Sequence, residues 1–174
     1  MRHPRPQVAA GTCYGSLDLD LVPGYEMLIP GIKEQLPQNI PVFTSPLRRC
    51  RIPANLFSQN PVVDSRIAEM HFGDWEGMRW DDLKGTEASS WMRNYLTQRT
   101  PNGESFQDLR NRVMDFLENA IPIDFEAVLL VTHAGVIRAL MIELQQQSPR
   151  KVFTTSIEFA ALYRFRYDRP SPAA

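Results

Sequence analysis

The sequence predicts one compact α/β unit, and three observations predict it. Two segments read as strand, loop and helix in succession; in both, the polar chemistry sits just past the strand's end; and an amphipathic helix lies between them. At 174 residues the chain suits a single hydrophobic core.

Taken in order, Pro30 and Gly31 are expected to break the 24–36 stretch into short helical pieces. The first strand is PVFTS (41–45), leading into PLRRCRIPANLF (46–57) with Ser45 as N-cap and Pro46 at the first helical position. That register sets Arg48 and Arg49 in the first turn. Residues 71–104 are irregular, with Trp75, Trp80 and Trp91 among Gly73, Gly77, Gly85, Pro101 and Gly103, and read as a lid-like insertion over the site. The run SFQDLRNRVMDFLENAI (105–121) places Phe106, Leu109, Val113, Phe116, Leu117 and Ala120 at helical spacing, with Ser105 and Asp108 arranged as a capping box. In AVLLVTHAGVIRALMIEL (127–144) a β-branched and leucine run ends at Thr132 and His133, before Val136, Ile137, Leu140, Met141 and Leu144 mark a helical stripe. SIEFAALYRFRY (156–167) suggests a late strand, and 168–174 a frayed tail. Both strand-to-helix segments aim their loops at the sheet's carboxyl edge, where open α/β sheets bind ligands.

Composition excludes several classes. The formal net charge of -1 offers no broad cationic surface for nucleic acid. No apolar h-region opens the chain and no run is long enough to span a bilayer, so a cytoplasmic location without membrane association is expected. Cys13 and Cys50 form neither a C-x-x-C pair nor a zinc-like cluster, and read as reduced packing residues. Neither a carboxylate–histidine cluster with two-metal spacing nor a glycine-rich P-loop is present; no metal and no cofactor are expected, and Asp81-Asp82 reads as a solvated helix start.

Three histidines occur, at 3, 71 and 133, and each is ambiguous singly. Arg2-His3, Arg48-Arg49 and Thr132-His133-Ala134-Gly135 together resemble the histidine phosphatase superfamily, which also includes the cofactor-dependent phosphoglycerate mutases. Here the opening pair is followed by Pro4 where the commoner pattern has glycine. The serine–leucine–arginine signature appears as Ser45-Pro46-Leu47-Arg48-Arg49, whose register makes Arg49 the phosphate-binding arginine. Ile67 to Gly77 matches the signature of a glutamate followed by an aromatic-glycine turn; Glu69 corresponds to the catalytic acid and Glu76 to the structural turn. The resemblance spans nearly the whole chain. It implies a three-layer α/β/α sandwich around a mostly parallel mixed sheet, phosphoglycerate mutase-like.

Phosphoryl transfer needs an in-line nucleophile, positive charge around the equatorial oxygens and a proton for the leaving alkoxide. His3 can attack phosphorus if an acceptor fixes its tautomer so that the attacking nitrogen is bare. Arg2 and Arg49 offer forked donors, and His133, if protonated beside a phosphate dianion, adds another. Glu69 must be protonated to act as acid, a form that a neighbouring dianion favours; ionised, it returns as base for water. The expected activity is therefore a metal-independent phosphomonoesterase acting on a small phosphorylated metabolite.

The opening RHP and Cys13-Tyr14-Gly15-Ser16-Leu17-Asp18 look most like the α-ribazole phosphatase branch, which removes a 5′-phosphate during assembly of the cobalamin nucleotide loop. That resemblance puts Tyr14, Glu104 and Ser105 on the substrate side, Ser105 with helix capping as its first duty. A broad sugar-phosphate or nucleotide phosphatase, a phosphoglycerate mutase and a non-catalytic phospho-ligand binding module stay open as alternatives. Members of the family place an apolar strand directly before the Arg-His pair, whereas here only Met1 precedes Arg2. The expectation is a sheet lacking its central element, a loosely tethered His3, and a natural chain that begins several residues upstream. Oligomeric state is not legible.

Overall fold

A computed structural model describes residues 1–83, 85, 87–121 and 125–168. Of the expected tail, all but Asp168 lies outside the described residues. Three strands pair in parallel in the order β2, β1, β3, where β1 is Val42–Thr44, β2 Val62–Val63 and β3 Leu129–Val131. Phe43 stands opposite Val62 on one side and Leu130 on the other.

Alternation along these strands divides the apolar residues between two helical layers. Val42, Leu129 and Val131 pack with Met1, with Ile29 and Ile32 of α1 (Ile29–Lys33), and with Cys50 and Ala54 of α2 (Arg48–Ala54). Phe43 faces the opposite way, into Leu109, Val113 and Phe116 of α4 (Phe106–Asn119) and Val136 and Leu140 of α5 (Ala134–Gln145). The short α3 (Glu87–Asn94) buries Ala88 and Trp91 in this second core, and α6 (Pro149–Thr154) closes the end of α5 through Val152. The chain is thus an α/β unit with helices packed on both faces of a short parallel sheet.

Residues 71–104 are less an appendage than their composition suggests. Trp75 and Leu83 are core residues, and Trp91 meets Trp75 edge-on at 5.4 Å and Phe72 at 5.9 Å. Gly73 has φ of +59°, and a Cβ there would come within 1.9 Å of the Pro101 carbonyl oxygen, so the start and the end of the segment touch where only glycine fits.

Two local expectations need correction. The helix after β1 starts at Arg48 with Leu47 as N-cap, two residues later than Ser45-Pro46 suggested; Asp18, from a distant loop, supplies the acceptor for the Arg48 N–H at 2.7 Å. The late strand does not form a ladder. Ala160 N–H bonds His3 O and Arg2 N–H bonds Ala161 O, but past these two contacts 162–167 has a cavity of about 400 Å³ beside it rather than a neighbouring strand. Tyr163, Phe165 and Tyr167 line that cavity together with Val128, Leu130, Leu140 and Met1.

Met1 to His3 run alongside the end of β3, on the side away from β1. Arg2 bridges Thr132 in parallel, Thr132 N–H bonds Met1 O at 2.9 Å and His3 N–H bonds Thr132 O at 2.9 Å. With Ala160 on its other side, the His3 backbone is held at both edges, which corrects the expectation of a loose tether.

Candidate active site

Each strand hands its last residues to the same edge. His3 follows the Arg2–Thr132 bridge, Ser45 follows β1, and His133 follows β3 as the N-cap of α5. Arg49 comes from the first turn of α2. His3, Arg49 and His133 are all buried, at 1%, 0% and 0% exposure, and the two imidazoles meet edge to face with centroids 5.1 Å apart. A buried arginine with no carboxylate partner among the described residues, beside two buried histidines, is a costly arrangement unless an anion is its counterpart.

The guanidinium of Arg49 is anchored from behind: Nη1 donates to Leu17 O and Nη2 to Gly15 O, and the Tyr14 ring lies 5.1 Å from its carbon. Arg2 is held similarly, with Nη1 on Ile157 O, Nη2 donating to the Tyr14 hydroxyl at 3.3 Å, and the Phe159 ring 3.6 Å from its guanidinium carbon. The Nε–H groups of both arginines are buried without a partner. Arg48 points out to Asp20 at 2.8 Å, so the register that chose Arg49 from the sequence matches the inward arginine.

His3 Nδ1 lies 2.7 Å from Pro4 O. A carbonyl only accepts, so Nδ1 carries the proton and Nε2 is bare. Burial, then the Arg49 charge, hold the His3 imidazole well below the usual histidine range, outweighing the opposing pull of the Pro4 carbonyl. His133 is lowered for the same two leading reasons, with His3 adding to them, which favours the neutral ring. Its Nε2 sits 2.7 Å from Ser45 Oγ.

Glu69 reaches this edge from a segment without regular structure. Its carboxylate accepts the Gly135 N–H at 3.1 Å and the Met70 N–H at 3.0 Å. The backbone around it is gathered by Arg112 of α4, which donates to the carbonyls of Arg66, Ala68 and Glu69. Glu104 completes the clamp, taking Arg112 Nε at 2.9 Å on one oxygen and the His71 N–H at 2.9 Å on the other. Glu104, expected on the substrate side, is thus turned to Arg112. Ser105 is committed to its capping box with Asp108, and Glu76 accepts the N–H groups of Ser16 and Phe72 in the structural turn. Arg112 was not singled out, since an arginine inside an amphipathic helix carries no distinguishing sequence signal, and Ser45 was read as a helix N-cap and as part of its motif rather than as a partner of His133. Beside Glu69 a small cavity of about 100 Å³ is lined by Phe72, Trp91, Tyr95, Phe106, Phe153 and Arg138.

The family model of the histidine phosphatase superfamily (branch 1) matches residues 1–174. The chain belongs to this superfamily. Among its relatives, a metal-independent phosphoserine phosphatase of Arabidopsis thaliana is 29% identical over 80% of this chain, and an adenosylcobalamin/alpha-ribazole phosphatase of Escherichia coli strain K12 is 32% identical over 59%. This histidine phosphatase chain spans 64% of the first and 55% of the second. The crystal structure of phosphoglycerate mutase from Thermus thermophilus superposes with a TM-score of 0.66 at 30% identity, covering 82% of both chains. Family membership implies phosphatase or mutase chemistry on small phosphorylated substrates. No helix among the described residues is long and apolar enough to cross a membrane.

Proposed function

We propose that this chain is a metal-independent phosphomonoesterase that carries the phosphoryl group on His3. The hydrogen bond from His3 Nδ1 to Pro4 O is the observation that carries the reading, because it leaves the Nε2 lone pair free for phosphorus while the ring is held neutral. Arg2 and Arg49, each with an unpartnered buried Nε–H, supply fixed donors for the phosphoryl oxygens. His133 adds an N–H from the N-terminus of α5, whose free amides also favour an anion.

Nε2 of His3 forms a bond to phosphorus as the ester oxygen leaves, and protonated Glu69 gives that oxygen its proton. Water then attacks the phosphohistidine, ionised Glu69 takes the proton from water, and inorganic phosphate departs with the imidazole restored. The same site would hand the phosphoryl group to a hydroxyl of a phosphoglycerate in a mutase, the alternative that the Thermus thermophilus similarity favours.

For substrate, α-ribazole 5′-phosphate is the first choice, in a cytoplasmic setting. The Escherichia coli relative and the Cys13-Tyr14-Gly15 segment support it, and the aromatic cavity beside Glu69 offers an apolar wall on the leaving-group side. Brief reaction with a ³²P-labelled phosphomonoester, quenched in alkali, is expected to trap label on His3, and His3→Ala to abolish trapping. Label persisting in that variant would refute the phosphohistidine. Initial rates on α-ribazole phosphate, phosphoserine, 3-phosphoglycerate and fructose phosphates then test the substrate; a preference for 3-phosphoglycerate with isomerised product would replace hydrolase by mutase.

A further inference from the structure

Two neutral side chains converge on one nitrogen of His133. Ser45 Oγ lies 2.7 Å from Nε2, and the Cys50 sulfur, in the first turn of α2, lies 3.3 Å from Nε2 and 3.8 Å from Nδ1. Ser45, Cys50 and His133 are all fully buried, so water cannot take over any of these bonds. The Ser45 oxygen already accepts the Leu47 N–H at 3.3 Å, and its own proton remains to be donated. Burial pushes the Cys50 thiol far above the usual cysteine range, so it stays S–H, a weak donor and a poor acceptor. An imidazole nitrogen set between a hydroxyl and a thiol that both have protons to give is placed as an acceptor.

We propose that Ser45, backed by Cys50, is a positioning residue that fixes His133 as the Nδ1–H tautomer and so decides which nitrogen presents a donor to the transferring phosphoryl group. This assignment rests on the reading of His133 as a phosphoryl-binding group. It makes β1 and α2 a single device: the strand that delivers Ser45 to Nε2 runs directly into the turn that delivers Arg49 and Cys50. A rotation of His133 would break the Ser45 bond and turn a bare nitrogen toward the anion.

The direct test is ¹⁵N NMR of the histidine rings in the ligand-free protein, where pyrrole-like and pyridine-like nitrogens separate in shift. His133 is expected to show a pyridine-like Nε2 and a protonated Nδ1; a protonated Nε2 in the unmodified protein overturns the proposal. Ser45→Ala is expected to mix the two tautomers and to lower kcat on a phosphomonoester roughly 10- to 100-fold, the usual cost of losing a partner that orients a histidine, with KM changed by less than about threefold. Ser45→Thr keeps the hydroxyl and is expected to restore the single tautomer and most of the rate. An unchanged tautomer and rate in Ser45→Ala refute the assignment. Because the ring signals are read without substrate, a chain that shows the tautomer but no turnover would count against the phosphatase reading and leave the tautomer assignment standing.

Discussion

Replacing Gly135 by alanine is a narrow way to move Glu69 without touching it. A Cβ at position 135 falls 2.2 Å from Glu69 Oε1, 3.3 Å from its carboxyl carbon and 3.4 Å from a Leu109 methyl. Only the first contact is impossible, and it is made with the mobile end of a side chain; restoring ordinary contact requires the carboxylate to retreat by about 1 Å. Gly135 lies in the first turn of α5, where alanine gains up to about 1 kcal/mol in helix propensity. Against this stands the weakened Gly135 N–H bond to a carboxylate, about 1.5–3 kcal/mol at most and less at a partly exposed site. Net stability should therefore shift by no more than about 1–2 kcal/mol. Catalysis should suffer much more: a displacement of about 1 Å is worth on the order of 100-fold when the displaced group must protonate the leaving oxygen. An aryl phosphate with a good leaving group needs that proton far less and should lose under about tenfold. Steady-state kinetics on an alkyl and an aryl phosphomonoester, with a thermal melt of the same sample, give the comparison. Equal losses on the two substrates, or an unimpaired alkyl rate with an unchanged melt, would remove Glu69 from the role of acid.

Four further outcomes follow from other contacts. Arg49→Ala should cost at least about 2 kcal/mol of transition-state stabilisation, read as kcat/KM, since it strips a charged donor from phosphate; a near-normal rate would move the role elsewhere. Arg112→Ala releases three carbonyls and Glu104 at once and should destabilise by about 3 kcal/mol in urea unfolding, and Arg112→Lys should recover only part of it, because one ammonium cannot span the fork. Gly73→Ala combines φ of +59° with a backbone clash against Pro101 and should cost more than about 2 kcal/mol; a neutral effect would mean that the loop pairing is soft. Finally, His3 and His133 are lowered in the folded state, so below about pH 6.5 the unfolded chain binds two protons that the folded chain does not. Stability should be full above that pH and fall below it by up to about 1.4 kcal/mol per pH unit for each histidine, and denaturant midpoints from pH 8 to 5 should lose half of that slope in His3→Asn.

Local periodicity revealed what depends on local contacts. The helix expected over 105–121 is α4 at Phe106–Asn119 with its capping box, because Ser105, Asp108 and the apolar stripe are all within a few turns of one another. The strand-to-helix passages at Thr44 and Val131 were legible for the same reason. The late strand over 156–167 was not, because a strand exists through its neighbour and a neighbour cannot be read from its own residues. Strand β2, Val62–Val63, escaped notice as two residues with exposed side chains. In the site, the order of motifs pointed to His3, Arg49, Glu69 and His133 together, whereas the supporting bonds depend on the fold. Arg112 looks like any charge on an amphipathic helix until the carbonyls of residues 66, 68 and 69 close around it.

The cavity of about 400 Å³ beside Met1 and β3 is a place where the fold has room to gain stability. Its walls are mostly apolar, with Gln35, Glu126 and Arg164 among them, and Tyr167 brings to it a hydroxyl that is buried without a partner. Larger side chains at Val128 or Leu130 would fill space that now holds no protein contact, and phenylalanine at position 167 would relieve an unmet hydroxyl, each a gain of the order of 1 kcal/mol. The void also reaches Thr132, whose carbonyl takes the His3 N–H and whose next residue is His133, while Ser45 holds the His133 ring from the far side. Robustness and chemistry thus meet at one residue, so that the chain can be made sturdier from Val128 outward, whereas any change that moves Thr132 moves both reacting histidines with it.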